Sequence, residues 1–430
     1  GCYGNEEIRT PNIDSLAASG TRMENFFCAT PVCSPSRATL LTGRLPSQHG
    51  IHDWIMEGNV GPGSIRYLEG EIAYTDILAR HGYICGLSGK WHLGDSQIPQ
   101  HGFTDWYVHQ TGGGDYNQPP MVREGQCVVE NGYVTTLITE EAMRFLQDYA
   151  GRKVPFYLAV HFTAPHSPWT GHPEEIVRSY DRCPFKSCPQ EPRHPWAISL
   201  TDQCLGNREM LQGYFAAVTA MDQQVGRLLS LLTDLGLREK TLVIFMSDNG
   251  FSCGHHGFWG KGNGTIPWNM YENSVKVPAI FSQPGKIPQG RVLRQLLSAY
   301  DVMPTLLDWL ELPVPYERSL PGRSFRSLLV GEEERFREEV VVYDEYGPVR
   351  MLRTEEWKYV HRHPWGPHEL YHLIDDPDER KNLSGQSRFK DIERKLRQQL
   401  EEWFQQYVVP ARDGRRYIQV QPGQVRKMSE

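Results

Sequence analysis

A cysteine at the start of a short helical pattern is the first feature of this sequence that could do chemistry. Cys33 opens the run CSPSR, and the residues ATLLTG that follow it have the composition of a helix. Ser34 is a good N-cap, Pro35 suits the first turn, and Gly43 suits the position just past a helix end. We therefore predict a helix that places the Cys33 thiol at its N-terminus, where backbone N–H groups favour an anion.

Two loops rich in polar residues follow apolar runs that are typical of strands. The run Tyr157 to Phe162 leads into TAPHSPW, which contains His166. The run Thr241 to Met246 leads into SDNGFSCGHHG, which contains Asp248 and Asn249. Continuous apolar runs of this length favour strands buried on both faces of a sheet. Ligand sites of such sheets lie beyond the carboxyl ends of the strands, so we expect both loops at one site.

Helical patterns alternate with these strands and indicate an α/β fold. The clearest amphipathic patterns are Thr139 to Tyr149 and Glu209 to Leu232. We predict a large central mixed, mostly parallel sheet flanked by helices in residues 1–334. After the acidic run GEEER, short strand patterns precede one amphipathic helix, Phe389 to Tyr407. We predict that residues 335–430 form a smaller antiparallel α+β domain.

Length, charge and hydropathy restrict the class of protein. The chain has 430 residues, 39% of them hydrophobic and 23% charged, as in ordinary globular proteins. Its formal net charge of −7 argues against a nucleic-acid partner. No apolar stretch is long enough for a membrane span, and no signal peptide is visible. The sequence leaves the location open between a bacterial cytoplasm and a periplasmic or secreted site.

The spacing of Cys33, Pro35 and Arg37 resembles the signature of the type I sulfatases, which belong to the alkaline phosphatase superfamily. Four further segments are similar to motifs of that family. They are GKWHLG from Gly89 to Gly94, APHSP around His166, SDNG around Asp248, and GKG around Lys261.

The resemblance implies a sulfuric ester hydrolase that uses formylglycine. A formylglycine-generating, or sulfatase-maturing, enzyme would oxidise Cys33 and would thus be a partner of the unfolded chain. Hydrated formylglycine would attack sulfur with one hydroxyl and expel sulfate with the other. The family also implies a divalent cation, Ca²⁺ or Mg²⁺, held by oxygen ligands.

The roles of the remaining residues follow from the same resemblance. Arg37 and Lys90 would hold and polarise the hydrated residue 33, and His92 would accept its proton. His166 would protonate the leaving oxygen, and Lys261 would pair with a sulfate oxygen. The metal ligands would be Asp248, Asn249 and the modified Cys33.

The start of the sequence departs from the family pattern. The family takes a pair of aspartates from the end of its first strand, just before a stretch like Gly1-Cys2-Tyr3-Gly4-Asn5. The chain begins at that stretch, so the first strand and its aspartates are missing from it. We expect the chain as given to bind metal weakly and to be inactive or nearly so.

Substrate and reaction class leave alternatives open. A sulfated small molecule or glycan is the expected ligand, with a sulfated carbohydrate favoured. The alternatives are a phosphonate or phosphate monoester hydrolase that shares the formylglycine nucleophile, and a non-catalytic binder of sulfated glycans. Asp53 is a pocket candidate. The aromatic side chains that could stack on a sugar are Trp54, Tyr116, Trp169 and Trp365.

Overall fold

The computed structural model of the chain describes residues 1–314, 320–344, 348–416 and 423–428. Among these residues there are twelve α-helices: α1 (Pro11–Ala18), α2 (Cys33–Thr42), α3 (Pro46–His49), α4 (Tyr74–Arg80), α5 (Val134–Ala150), α6 (Glu174–Arg178), α7 (Ser199–Cys204), α8 (Arg208–Asp234), α9 (Glu272–Val275), α10 (Val302–Trp309), α11 (Arg326–Val330) and α12 (Lys390–Tyr407). None of the helices in these ranges has the length and apolar character that a membrane crossing requires.

Fifteen strands are present in the same ranges. They are β1 (Thr21–Phe27), β2 (Ile84–Gly89), β3 (Phe103–His109), β4 (Pro120–Arg123), β5 (Gln126–Val129), β6 (Phe156–His161), β7 (Val243–Met246), β8 (Ser252–Cys253), β9 (Trp259–Gly260), β10 (Ala279–Ser282), β11 (Arg291–Ser298), β12 (Glu339–Asp344), β13 (Val349–Thr354), β14 (Trp357–Arg362) and β15 (Glu369–His372).

Mixed sheets flanked by helices form the larger part of the molecule, which confirms the predicted α/β class. The described strands of this part form two sheets rather than one, however, and are not mostly parallel. One sheet has the strand order β11-β1-β10-β7 and the other β5-β4-β3-β2-β6. The pairs β1–β11, β2–β3 and β2–β6 are parallel. Helices α5 and α8 pack together, and Phe145, Leu146 and Leu232 form an apolar cluster between them and the second sheet.

Strands β6 and β7 are less buried than their apolar sequences predicted. Every side chain of β7 is half-buried, and in β6 only Ala159 is fully buried. Each strand is at the end of its sheet, and both line one cavity of 1510 Å³. The expectation that both strands are covered on two faces is therefore wrong, because this cavity lies against them.

Helix α2 begins earlier than the sequence predicted. Its N-cap is Val32 rather than Ser34, so Cys33 is the first helical residue. The Ser34 hydroxyl instead accepts a hydrogen bond from the backbone of Ile55 at 3.1 Å, which removes it from the capping role. Gly43 follows the helix with a φ of 65°, the left-handed conformation expected of a terminal glycine.

A four-stranded antiparallel sheet with one helix forms the smaller part, as predicted. Its strand order is β12-β13-β14-β15. Helix α12 contributes the buried residues Leu396, Leu400 and Phe404, which recur at four-residue steps on one face. A buried Lys358 on β14 contacts Glu272 at 2.7 Å and Glu379 at 2.6 Å, which ties the sheet to α9. The boundary at residue 334 stays a prediction.

Candidate active site

One cavity brings together the side chains that the sequence singled out. It is the 1510 Å³ cavity next to β6 and β7. The predicted site residues that line it are Cys33, Arg37, Lys90, His92, His166, Asp248, Asn249 and Lys261. These residues come from α2 and from the loops after β2, β6, β7 and β9, so several chain segments converge on one place.

Cys33 lies at the centre of a positively charged environment. The Nζ of Lys261 donates a hydrogen bond to Cys33 Sγ at 2.7 Å and to Asn249 Oδ1 at 3.3 Å. Burial alone raises the pKa of the Cys33 thiol, but the charges of Lys261 and Lys90 outweigh it and hold the pKa well below 9.0. Since Cys33 is also the first residue of α2, the site favours an anion at this position.

Arg37 connects α2 to two of the surrounding loops. Its Nε forms an ion pair with Asp248 Oδ2 at 2.9 Å. Its Nη1 donates to the Lys90 carbonyl oxygen at 2.9 Å and contacts His161 Nδ1 at 3.2 Å. Burial raises the pKa of the Asp248 carboxyl, but the positive charges of Arg37, Lys90 and Lys261 lower it by more. The pKa therefore lies below its ordinary value, and the carboxyl is ionised. Arg37 therefore fixes the position of the Asp248 carboxylate beside Cys33.

Lys90 is held at the end of β2 by a close approach of two backbone segments. Its N–H donates to the His161 carbonyl oxygen at 2.8 Å. Gly89 has a φ of +112°, and a Cβ there would lie 2.1 Å from that same oxygen, so only glycine fits. The Lys90 side chain is buried, and burial together with Arg37 and Lys261 lowers its pKa to about 8.

His92 has a defined tautomer. Its Nε2 lies 3.0 Å from the Ile55 carbonyl oxygen. A carbonyl oxygen only accepts, so Nε2 carries the proton and Nδ1 is the free acceptor. A Cβ on Gly112 would lie 2.4 Å from the imidazole, so the loop after β3 covers His92 closely only because residue 112 is glycine. Burial lowers the pKa of His92, which keeps the ring neutral near pH 7.

His166 lies in the loop after β6. Its Nδ1 donates to the Ser167 carbonyl oxygen at 2.9 Å, which leaves Nε2 as the other ring nitrogen. Burial and the charges of Lys90 and Lys261 lower its pKa to about 3. Protonation of Nε2 therefore requires a negative charge close to the ring, such as a bound anion.

Sequence reasoning missed His161 and Ile55. His161 ends β6 within an apolar run, and a lone polar residue at a strand's carboxyl end was the signal that could have found it. Ile55 contributes only backbone atoms, so its residue type carried no signal. Asp53 is not among the lining residues, because its carboxylate accepts from the N–H groups of Trp54 and Gly423 instead.

The aromatic candidates divide between the cavity and other places. Trp54 and Trp169 line the cavity, whereas Tyr116 and Trp365 do not. Tyr116 is buried, where its hydroxyl donates to the His166 carbonyl oxygen, and Trp365 is 76% exposed in the turn between β14 and β15.

Two residues in the loop after β7 carry oxygen atoms suited to a hard cation. Asp248 and Asn249 offer a carboxylate and an amide oxygen next to Cys33, and their donor type fits Ca²⁺ or Mg²⁺. Across residues 1–314, 320–344, 348–416 and 423–428, however, no three His, Cys, Asp or Glu side chains gather into a metal-binding group. The described residues thus supply part of a cation site.

Known proteins are similar to this chain in both sequence and fold. The family description "Sulfatase" matches residues 1–312, and "N-sulphoglucosamine sulphohydrolase, C-terminal" matches residues 254–406. An N-acetylglucosamine-6-O-sulfatase of Bacteroides thetaiotaomicron is 26% identical, over 94% of this chain and 84% of the relative.

Solved structures agree with this match. A structure in complex with its substrate D-glucosamine-2-N,6-O-disulfate has a TM-score of 0.78 and 26% identity, over 94% of both chains. The phosphonate monoester hydrolase of Agrobacterium radiobacter has a TM-score of 0.70 and 21% identity, over 94% of this chain and 92% of that one, which shows a shared fold. The chain therefore belongs to the sulfatase family of the alkaline phosphatase superfamily and is a sulfate ester hydrolase.

Proposed function

We propose that this site hydrolyses a sulfate ester of a sulfated carbohydrate with residue 33 in the formylglycine form, made by a sulfatase-maturing enzyme. One observation carries the proposal: Cys33 begins a helix and receives a 2.7 Å hydrogen bond from half-buried Lys261, within the field of buried Lys90. The overall reaction consumes water and releases sulfate and an alcohol.

Three cations would hold the sulfate group. Lys261, Lys90 and Arg37 all line the cavity, and Asp248 is the carboxylate that shares their field. The positive charge of these three side chains exceeds the negative charge of the one carboxylate, so the site attracts an anionic sulfuryl group. Side chains fixed by burial and hydrogen bonds stabilise charge on its oxygens without reorganising during the reaction.

Residue 33 would supply the nucleophile. Hydrated formylglycine offers one hydroxyl that attacks and a second that permits release of sulfate. His92 is the proton acceptor at this position, because its Nε2 proton is held by the Ile55 carbonyl and its Nδ1 is free. Lys90, which is buried, and Arg37, which donates to the Lys90 carbonyl oxygen, would hold the attacking oxygen in place.

His166 would deliver the proton that the leaving alcohol needs. A sugar alkoxide is a poor leaving group, so protonation of the ester oxygen lowers the barrier. Since Nδ1 is bonded to the Ser167 carbonyl oxygen, the proton must come from Nε2. A bound sulfate ester is the negative charge that raises the pKa of His166 from its low value in the free site.

A divalent cation would be held by Asp248 and Asn249 beside residue 33. When bound, the cation supplies positive charge to the sulfuryl oxygens. Asp248 is prepared for this role by its ionisation, and Arg37 fixes its orientation. With these two oxygen ligands, we expect the 430-residue polypeptide to bind calcium weakly, so that its activity is very low unless calcium is in excess. Isothermal titration with Ca²⁺ measures this affinity, and tight binding would contradict the expectation.

A 6-O-sulfated amino sugar is the substrate class that the comparisons favour. The relative named above is an N-acetylglucosamine-6-O-sulfatase, and the structural neighbour holds a glucosamine disulfate. The cavity of this chain adds Trp54 and Met56 next to the charged residues, and an indole can pack on the apolar face of a sugar ring.

Turnover by protein co-expressed with a sulfatase-maturing enzyme tests the proposal. Mass spectrometry of the Cys33 peptide reports the aldehyde, and ion chromatography reports sulfate from N-acetylglucosamine-6-sulfate in excess calcium. A matched pair, 4-nitrophenyl sulfate and a 4-nitrophenyl phosphonate monoester, separates the two reaction classes. Faster turnover of the phosphonate would favour the alternative hydrolase, and the Cys33→Ala variant is the control for background hydrolysis.

A further inference from the structure

A segment near the end of the chain lies against the wall of the active site. Gly423 and Gln424, which we call the C-terminal strap, run beside the segment from Gly50 to Met56. The Gln424 N–H donates to the Trp54 carbonyl oxygen at 2.7 Å, and the Met56 N–H donates to the Gln424 carbonyl oxygen at 2.9 Å. These two bonds form a parallel bridge between Gln424 and Ile55.

Side-chain bonds reinforce this backbone pairing. Oε1 of Gln424 accepts from the His52 N–H at 2.9 Å, and its Nε2 donates to the Gly50 carbonyl oxygen at 3.0 Å. The Gly423 N–H donates to Asp53 Oδ2 at 2.8 Å. Gln424 is only 4% exposed, so its side-chain amide is a buried link to the Gly50–His52 end of the segment, while its backbone holds the other end.

The segment from Gly50 to Met56, which the strap contacts, also determines which ring nitrogen of His92 carries the proton. The Ile55 carbonyl oxygen accepts the Nε2 proton of His92 at 3.0 Å, and the Ile55 N–H donates to the Ser34 hydroxyl at 3.1 Å. Ile55 thus connects the strap on one side with His92 and with α2, next to Cys33, on the other. A shift of its carbonyl would release the Nε2 proton from its partner.

We propose that Gln424 is a positioning residue for the hydrolytic reaction: it fixes the Ile55 carbonyl, which holds His92 as the Nε2–H tautomer with Nδ1 free to accept a proton at residue 33. The inference rests on the proposed function for its kinetic consequence, whereas the tautomer itself is a property of the folded chain. Gln424 does not line the cavity, so it acts through Ile55 and His92.

Loss of the strap has a defined effect on proton transfer. The groups that face His92 are Cys33 on α2, Lys90 in its own loop and His109 on β3. The Ile55 carbonyl oxygen is the acceptor that keeps the proton of His92 on Nε2. Weakening this hydrogen bond therefore allows the proton to move from Nε2 to Nδ1. Proton acceptance fails while the cations that bind sulfate stay in place.

The kinetic test compares Gln424→Ala with Lys427→Ala, a change on the same tail outside the strap. We expect Gln424→Ala to lower kcat about tenfold and to leave KM within about twofold. Lys427→Ala should behave as the unaltered chain. Unchanged kcat, or a fall in kcat accompanied by an equally large rise in KM, would overturn the proposal. Gln424→Met, which keeps the side-chain volume, replaces the alanine variant if that variant does not fold.

A spectroscopic test does not depend on sulfatase activity. Histidine-labelled ¹H–¹⁵N spectra of the unmodified Cys33 protein distinguish the two tautomers of His92, with His92→Gln for assignment. We expect the Nε2–H form in the full chain and a mixture in Gln424→Ala. The same tautomer in both proteins would overturn the role of the strap, whether or not the protein hydrolyses sulfate esters. A mixture in a protein without turnover would support the strap and count against the proposed function.

Discussion

The ammonium of Lys261 lies 2.7 Å from the sulfur of Cys33, at the first residue of helix α2. The two residues are 228 positions apart in the sequence, and both line one cavity. Lys90 places a second positive charge near the same sulfur atom. The site is therefore an anion site in the unmodified chain, before any oxidation of residue 33.

Reactivity of the unmodified thiol tests this charge environment. Because Lys261 lowers the pKa of Cys33, Lys261→Met should raise that pKa and reduce the thiolate fraction at pH 7. We expect alkylation of Cys33 by iodoacetamide to slow at least about tenfold. Peptide mass spectrometry over time gives the rate, and the exposed Cys127 is an internal control for the reagent. Lys276→Met removes another lysine that lines the cavity, and an equal slowing in that variant would contradict the specific role of Lys261.

The charge of Lys90 should set the basic limit of activity. Burial lowers its pKa to about 8, so Lys90 is charged below that pH and loses its charge above it. The Cys33 thiolate raises this pKa, so conversion of residue 33 to an uncharged form should move the limit to lower pH. We expect kcat/KM of the aldehyde-containing protein to fall above about pH 8 or slightly lower. A profile that is flat to pH 10 would show that Lys90 is not required in its charged form.

Removal of His166 should have an effect that depends on the leaving group. His166→Ala should lower kcat/KM about 100-fold for a sugar sulfate, whose alkoxide needs a proton, and less than about tenfold for 4-nitrophenyl sulfate, whose phenolate leaves unaided. His172→Ala is a matched control, because His172 is a buried histidine close to His166 in the sequence but does not line the cavity. Equal losses for the two substrates would assign His166 to binding rather than to proton donation.

The buried Lys358 should matter for stability. Its Nζ contacts Glu272 and Glu379 and donates to the Met270 carbonyl oxygen at 2.9 Å, with no exposed surface. Lys358→Met removes the cation that contacts both carboxylates and leaves Glu272 only the more distant Arg353 at 3.8 Å, at a cost of about 3–5 kcal/mol in the free energy of unfolding. Urea denaturation measures this change. The exposed Lys395→Met on α12 is the control, and a loss of similar size there would contradict the account.

Local chemistry made part of the fold and the site predictable. The run Cys33 to Gly43 carries its own helix signals, and the apolar faces of α5 and α8 repeat at helical spacing, so these helices were visible in the sequence. The loops after β6 and β7 were found because polar residues follow apolar strands. Because both loops line one cavity, His166 and Asp248 lie at the same site.

Contacts between distant segments could not be predicted in the same way. Ser34 has the right residue type for an N-cap, but its hydroxyl serves Ile55 and the helix begins at Cys33 instead. Asp53 is a carboxylate in a promising context, yet its partners are two backbone N–H groups, one of them 370 residues away. The bond from Ile55 to His92 uses only a backbone carbonyl, for which no residue type is a signal.

The most direct test of the central claim is sulfate release from N-acetylglucosamine-6-sulfate in excess calcium, measured beside the mass of the Cys33 peptide. The account predicts that release occurs only in protein whose residue 33 is an aldehyde, at a rate that rises with the aldehyde fraction and is absent in Cys33→Ala. Equal release by the unmodified thiol protein, or full modification with no release above the Cys33→Ala background, would contradict it.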